Sequence, residues 1–361
     1  MPQPAPSACE ALPAAEPTGN ALAVAVLLQR LKVSDNMTSR ERFLKIMRFA
    51  QPDRVPYFEE GIRDEVIRIW RKQGLCGRRE LENRFPSDRW ERLKPDLAPR
   101  PGLKRWPAAA GDLESFRRHL DPHDRKRFPG PWKKHALNRQ PRDHVLMLHV
   151  HRGFFLSMGV GDWRRFHEVM TLLVDQPDLV REMMAIQGRF AAALVGEVLG
   201  DVTVDAAVFS EPIGGNDGPL MSPKMYEDVV LKSYRPVLDV LQRNRVETVI
   251  FQTFANARVL LPGILKWGFN GLWACEVNIG AMDYRSIRRE FGRDLRLMGG
   301  IDLDALRRGK ADIRKEIQTK IPPLLDQGGY IPLADGRVRE DVSFENYCYY
   351  RELLKNTIEK G

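Results

Sequence analysis

The chain has 361 residues, of which 43% are hydrophobic, and 57 Lys and Arg stand against 48 Asp and Glu, a formal net charge of +9. This hydrophobic share is enough to bury a large core, which excludes a wholly disordered chain. The four cysteines lie far apart without a CxxC pair, which excludes a disulfide scaffold, and the longest apolar run is far shorter than the roughly 20 residues of a membrane helix. We therefore expect a cytoplasmic protein that does not enter a membrane.

The first predicted elements follow an Ala- and Pro-rich stretch, residues 1–36, which we expect to be a poorly ordered tail. A helix cap begins at 37–42, and the apolar residues after it recur at helical spacing, which predicts a helix. Residues 54–60 form a short apolar run with a proline near its start. This run predicts a first strand that ends in two carboxylates, Glu59 and Glu60.

The positive charge is concentrated in one segment, residues 63–143. It holds 22 Lys and Arg against 12 Asp and Glu, so the rest of the chain is close to neutral. The segment is rich in Trp and Pro and has no clear apolar period, which predicts a basic insertion at about 75–143. It could be a solvated irregular insertion, a lid over an anionic small molecule or a surface for nucleic-acid phosphates, but no recognised nucleic-acid motif accompanies it.

From residue 144 onwards, strand-like and helix-like patterns alternate. Strands are predicted at 145–150, 204–210, 247–251, 271–275, 295–298 and 329–333, and helices at 162–173, 177–199, 222–243, 256–267, 283–291, 303–326 and 343–359. No glycine-rich dinucleotide or phosphate loop follows an early strand. The pattern predicts an α/β fold, a (β/α)8 TIM barrel, as a single domain over 37–361.

The carboxyl ends of barrel strands carry the active site, so the polar residues just past each apolar run are the candidates. The candidate catalytic residues are the glutamates Glu59, Glu60, Glu211 and Glu276. The candidate substrate-binding residues are His149, His151, Asp217, Gln252, Asn256, Asp302 and Asp335. Acids at several converging strand ends need a cation, a metal or substrate protons to relieve their repulsion, although each could instead cap a helix, as Asp302 could.

Two of these candidates, His149 and His151, lie two residues apart on one predicted strand. Since side chains alternate along a strand, both rings face the same side, where they could share a metal ion or a proton. A third metal ligand is not evident in the sequence. We therefore predict no metal site. For this pair, a hydrogen-bonded structural role is the alternative to metal ligation.

Six motifs, taken in order, resemble the uroporphyrinogen decarboxylase superfamily, which includes the decarboxylase of haem biosynthesis and cobalamin-dependent methyltransferases. They are MTSRERF at 37–43, PDRVP at 52–56, GPLMSP at 218–223, MGGID at 298–302, GGYI at 328–331 and DVSFEN at 341–346. The resemblance implies a (β/α)8 barrel with a tetrapyrrole or methylated corrinoid at its mouth. It further implies a corrinoid-binding protein as a partner and a homodimer of barrels.

The departures from the family pattern bear on the chemistry. The zinc ligands of the methyltransferase branch fall at Gln252, Phe254 and Gly336, none of which suits zinc, so we expect no tightly bound cofactor. The arginine motif of the decarboxylase branch leaves only Arg63 as a match. What remains of the family's cleft implies an acidic mouth, formed by Glu276, Asp283, Asp302 and Asp335.

Three functions remain open from the sequence. The favoured one is a methyltransferase-like enzyme that acts on a methylated substrate or a corrinoid without the usual zinc site. The first alternative is a decarboxylase of a tetrapyrrole or another anionic substrate, with Arg63 and the basic segment holding its carboxylates. The second alternative is a non-catalytic module that uses the basic segment for binding.

Overall fold

The computed structural model of the chain describes residues 37–128, 130, 141–275 and 280–360. Within these residues, seven strands pair in parallel, and their order in the sheet is their order in the chain. They are β1 (Trp90–Leu93), β2 (Val145–His151), β3 (Ala206–Glu211), β4 (Val249–Phe254), β5 (Gly271–Cys275), β6 (Arg296–Ile301) and β7 (Tyr330–Ala334). The sheet curls as in a TIM-like barrel, so the predicted α/β fold class is confirmed.

Helices precede the sheet, cover its outer face and connect its strands. They are α1 (Ser39–Met47), α2 (Asp64–Arg71), α3 (Arg78–Arg84), α4 (Leu113–Arg118), α5 (Phe154–Ser157), α6 (Trp163–Asp175), α7 (Pro177–Asp201), α8 (Pro223–Met225), α9 (Lys232–Arg243), α10 (Leu261–Lys266), α11 (Tyr284–Phe291), α12 (Leu303–Arg308), α13 (Lys310–Leu325) and α14 (Phe344–Lys360). A π-helical turn, Tyr226–Leu231, joins α8 to α9, and 3-10 turns lie at Ala110–Asp112, Arg125–Arg127, Arg258–Leu260 and Gly292–Asp294.

The six strands predicted after residue 144 are all present, with ends that differ by up to three residues. The predicted first strand at 54–60 is not a strand in the part of the chain that the structure describes. Within this segment, Tyr57 exchanges hydrogen bonds with Asp88. Just after it, Ile62 forms an isolated parallel bridge to Val338. Pro56 has no N–H to donate to a ladder, and the Asp88 carboxylate accepts the Tyr57 N–H.

The basic segment contributes to the sheet itself. Its residues Trp90–Leu93 form β1, which pairs in parallel with β2 from Val145 to Leu148. The prediction of an insertion over 75–143 is therefore wrong for these four residues. No strand pattern is visible there because β1 is short and half of its residues, Glu91 and Arg92, are charged.

The core has an inner and an outer layer, separated by the sheet. Alternate strand residues such as Val145 and Met147 face inwards, where they pack with Phe43, Ile46 and Met47 of α1. The other strand residues pack against the surrounding helices. Each fully buried side chain of this size contributes about 1.5–3 kcal/mol to the stability of the fold. Helix α1 closes one end of the barrel interior with these apolar contacts. Polar groups are thereby left to the opposite end, where the strands finish.

Helix α1 begins as its sequence predicts. The Thr38 side chain accepts a hydrogen bond from the Glu41 N–H, and the Glu41 carboxylate accepts one from the Thr38 N–H. The predicted tail, residues 1–36, lies outside the described residues. The domain boundary at residue 37 stays a prediction.

Helix α7 is long and apolar enough to cross a membrane by length and composition. However, 67% of its most apolar window is buried inside the protein, as in core helices of soluble proteins. Gly188 on this helix packs against α9 at the carbonyl of Ser233, where a Cβ would lie 1.9 Å from the oxygen. The contact between the two helices thus depends on a residue without a side chain.

We predict that Gly188→Ala destabilises the fold by about 2 kcal/mol or more, because the new methyl group must push α9 away from α7. Gly196→Ala, on the same helix, is the matched control: its Cβ would lie 3.9 Å from a Val240 methyl group, an ordinary contact. That control should leave stability unchanged or raise it by about 0.5–1 kcal/mol, since alanine favours helix. Urea unfolding measures both, and equal effects of the two substitutions would contradict the prediction.

Candidate active site

A cavity of about 600 Å³ opens at the carboxyl ends of β1 to β4. Its lining combines residues from the strand ends with residues from the loops that follow them. The lining residues are Glu60, Arg92, Lys94, Pro95, Asp96, Leu97, Ala98, His149, His151, Arg152, Leu156, Ser210, Gln252, Phe254 and Arg337. Four predicted site residues meet here, namely Glu60, His149, His151 and Gln252, in the position at which TIM barrels carry their active sites.

The described lining of the cavity is cationic. It holds four basic side chains, Arg92, Lys94, Arg152 and Arg337, against the carboxylates Glu60 and Asp96. Asp96 is already bound to Arg100, with 2.8 Å between the nearest atoms. The acidic residues expected at the mouth, Asp283, Asp302 and Asp335, are not among the residues that line this cavity, and a cavity of this charge suits an anionic ligand.

Arg92 is the most enclosed of these cations. Its guanidinium carbon lies 4.4 Å from the ring centroid of Trp90 and 4.5 Å from that of Trp273, and the two ring centroids are themselves 5.5 Å apart, so Arg92 packs against a pair of indole rings that contact each other. On its edge, Arg92 Nη2 lies 3.6 Å from Glu60 Oε1. Arginine remains charged when buried, so the cavity keeps a fixed positive charge here.

Glu60 is the carboxylate beside that charge. Burial raises the pKa of its carboxyl group above the ordinary value, whereas Arg92 and Arg337 act in the opposite direction. Its second oxygen, Oε2, is buried without a hydrogen-bond partner among the described residues. An unsatisfied buried carboxyl oxygen next to a cavity is well placed to exchange a proton with a ligand.

The two histidines at the end of β2 both line the cavity, as predicted. Burial lowers the pKa of each ring to about 3, so both are neutral at physiological pH. The Gly153 N–H donates to His151 Nδ1 at 3.0 Å, which places the proton of the neutral His151 ring on Nε2. His149 Nε2 is buried without a hydrogen-bond partner in the described part of the chain.

The residues at the three family zinc positions do not form a zinc site. Gln252 Nε2 lies 3.8 Å from Cys275 Sγ, Phe254 lines the cavity with its ring, and Gly336 has no side chain. Among the described residues, no group of three or more His, Cys, Asp or Glu side chains could hold a metal ion. This donor set does not fit zinc, which needs thiolate, imidazole or carboxylate ligands.

Glu211 lies below the cavity rather than in its lining. It is completely buried, and its oxygens accept hydrogen bonds from the Phe154 N–H and from the hydroxyl groups of Tyr226 and Tyr234. Burial raises the pKa of its carboxyl group to about 7 despite these three donors. Glu211 therefore holds the chain just after β2 against the end of β3.

Two further predicted residues lie on either side of Glu60 in sequence but face away from the cavity. Glu59 forms an ion pair with Arg351 and accepts a hydrogen bond from Tyr347 at 3.0 Å, both on α14. Arg63 is exposed at the start of α2, 3.9 Å from Glu65. Glu59 therefore anchors α14, and Arg63 does not line the cavity.

The remaining polar strand ends serve the local backbone. Asp302 caps α12 through the Asp304 N–H and binds Arg308, and Asp335 accepts the Leu303 N–H. Asn256 accepts the Arg258 N–H at the next turn, while Asp217 is exposed. Glu276 lies outside the described residues. For Asp302 the structure confirms the alternative role as a helix cap.

The four basic residues that line the cavity were not among the individual candidates from the sequence. Arg92 and Lys94 lie on and just after a strand that the pattern did not reveal, whereas Arg152 directly follows His151 and Arg337 follows Gly336. Arg152 and Arg337 do follow strand ends, but the candidates chosen there were acids, amides and histidines, and not arginines.

The chain is similar to known proteins in sequence and in fold. Residues 156–349 match the family model described as Uroporphyrinogen decarboxylase (URO-D), which is more than half of the chain. A methyltransferase from Methanosarcina mazei has a similar structure, with a TM-score of 0.57 over 89% of this chain and 99% of that chain, at 13% sequence identity. At this identity the similarity concerns the fold alone. No curated protein sequence matches the chain.

We predict that the purified protein does not retain stoichiometric zinc, because Gln252, Phe254 and Gly336 cannot supply a zinc ligand set. Elemental analysis after dialysis against a zinc-containing buffer and removal of free metal measures the content. One zinc ion per chain would contradict the prediction.

We also predict that Glu211 makes the fold less stable as the pH rises. A carboxyl group with a raised pKa in the folded state stabilises fully below about 4.5, the ordinary value, and this contribution is lost as the pH rises to about 7. The loss is on the order of 3 kcal/mol. Glu211→Gln removes this dependence.

The measurement is the free energy of unfolding in urea between pH 4.5 and 8 for wild type and Glu211→Gln. The wild type should lose stability relative to the variant as the pH rises. Glu340→Gln, at an exposed position, serves as the control and should follow the wild type. A constant difference between wild type and Glu211→Gln across this range would contradict the prediction.

Proposed function

The chain belongs to the uroporphyrinogen decarboxylase family, and we propose that it is a methyltransferase-like enzyme that demethylates an anionic substrate in the cavity at the ends of β1 to β4. The observation that carries the proposal is the pairing of a fixed cation, Arg92, with a buried carboxyl group of raised pKa, Glu60. The fold of the methanogen methyltransferase supports the same reaction class.

The geometry suits the departure of a methyl group from an oxygen atom. When the bond between methyl carbon and oxygen breaks, the electron pair stays on the oxygen and the methyl group passes to a nucleophilic acceptor. Arg92 and Lys94 lower the energy of the developing oxyanion, and the carboxyl group of Glu60 donates a proton to it when it is in its protonated form. The neutral His149 and Gln252 contact the uncharged part of the substrate through hydrogen bonds.

The methyl acceptor in this proposal is a corrinoid presented by a separate corrinoid-binding protein, as the family resemblance implies. The chain itself needs no tightly bound cofactor for the steps that its own residues perform. Because the zinc positions do not fit zinc, no step of the proposal depends on that metal. A homodimer remains a proposal from the family alone.

Decarboxylation of an anionic substrate is the second candidate, and the same cations favour it. In that reaction the bond to a carboxylate carbon breaks, carbon dioxide leaves, and Glu60 protonates the carbon that keeps the electron pair. A nucleic-acid-binding module is less favoured, because Arg92 and Lys94 of the basic segment face the cavity.

The first test uses cob(I)alamin with a panel of methyl ethers and methyl esters of carboxylic acids. We expect absorbance changes that show methylcobalamin formation with at least one of them, and a loss of about 10²-fold or more in rate for Arg92→Met, since an oxyanion-binding cation is removed. Release of carbon dioxide from uroporphyrinogen without any methylcobalamin would favour the decarboxylase instead.

The second test is the pH dependence of the rate. If Glu60 is the proton donor, its protonated form is active, so the rate falls as the pH rises through the raised pKa of Glu60. Glu60→Gln should lower the rate by about 10²-fold or more and remove this fall. Glu82→Gln, an exposed carboxylate outside the cavity, should keep the wild-type profile. An unchanged profile in Glu60→Gln would contradict the assignment.

A further inference from the structure

Arg152 lines the cavity but has no part in the proposed reaction. It is half-buried, and no described residue accepts a hydrogen bond from its guanidinium group or forms an ion pair with it. Asp96 acts on it electrostatically, but that carboxylate is bound to Arg100 and to the Ala98 N–H. The Arg152 guanidinium is therefore available to an anionic ligand that enters the cavity.

The backbone around Arg152 is fixed rather than flexible. Gly153 has a φ of +83°, and a Cβ there would lie 2.5 Å from the Ser210 carbonyl oxygen and 2.8 Å from Glu211 Oε1. The next residue, Phe154, donates its N–H to Glu211 Oε1 at 2.9 Å. These contacts lock the turn after β2 onto the end of β3, so the position of Arg152 is built into the fold.

Arg152 and Arg92 mark two separate points of positive charge. Arg92 is in register with Met147 of β2, and Arg152 directly follows His151, the last residue of that strand, five residues further along the chain. The pairing of β2 with β3 shifts register between His149 and His151, so at about 3.3 Å per residue the two backbones are less than about 16 Å apart along the strand direction. The lining also carries Lys94, which acts electrostatically on His149, and the uncharged residues His149, Gln252 and Phe254.

From this arrangement we propose that the substrate is elongated and carries, besides the methylated oxygen that becomes anionic at Arg92, a carboxylate that binds Arg152, so that the demethylated product is a dianion. The inference rests on the proposed function for the identity of the reacting end, which lies at Arg92 and Glu60. Arg152 then selects the length of the substrate and holds its far end. A guanidinium binds a carboxylate through two parallel hydrogen bonds, which fixes orientation as well as position.

The test is isothermal titration calorimetry with straight-chain dicarboxylates, from succinate to sebacate, and with monocarboxylates of matching length. We expect one dicarboxylate length to bind at least about tenfold more tightly than its monocarboxylate, since a second desolvated ion pair forms. Arg152→Met should abolish this preference and leave monocarboxylate affinity unchanged, while Arg152→Lys should keep part of it. Arg289→Met, at an exposed arginine outside the cavity, is the matched control.

Equal affinity for both series, no binding of any dicarboxylate, or a preference that survives in folded Arg152→Met would overturn the proposal. Thermal unfolding of each variant establishes that it is folded. The outcome is separable from that of the methyl-transfer assay. Methylcobalamin formation without a dicarboxylate preference would refute the dianion alone, whereas an Arg152-dependent preference without methyl transfer would refute the demethylase alone.

Discussion

The packing of the Arg92 guanidinium against the paired rings of Trp90 and Trp273 is the interaction on which the cavity depends. It joins β1 to β5 across the interior of the barrel, and Trp90 also stacks on Phe58, with ring centroids 5.1 Å apart. The aromatic rings continue the apolar interior, while the cation faces the cavity beside Glu60. The boundary between the packed core and the ligand space is thus set by one cation–aromatic contact.

The alternation of strands and helices after residue 144 could be predicted because each buried strand is a continuous apolar run. The same rule failed for β1, because its two charged residues, Glu91 and Arg92, break the run. Arg92 packs against Trp90, two residues before it on the same strand, and against Trp273, which is distant in sequence. The contact with Trp273 depends on tertiary packing and leaves no local trace in the sequence.

Polar strand ends were predicted from the sequence, but the contacts of their side chains were not. Asp302 and Asp335 stand at strand ends as expected, yet backbone N–H groups of α12 already use their carboxylates. Glu59 is likewise occupied by Arg351. A sequence shows which acids follow strands, but not which of them find a local donor first. His149, by contrast, keeps a ring nitrogen without a partner in the described structure, and the strand-end rule identified it.

The contacts of individual basic side chains show what the positive charge of the basic segment does in the fold. Arg127 in the basic segment is buried, and its guanidinium donates to the carbonyl oxygens of Asp121, Asp96, Ala98 and His119. That side chain organises the segment's own backbone, because a planar group with five donors can satisfy several carbonyl groups at once. Arg92 and Lys94, from the same segment, are directed to the cavity instead. An excess of basic residues in a sequence therefore does not by itself indicate a surface that binds polyanions. Here Arg127 stabilises the backbone of an irregular segment, and Arg92 and Lys94 give the cavity the positive charge that suits a small anion.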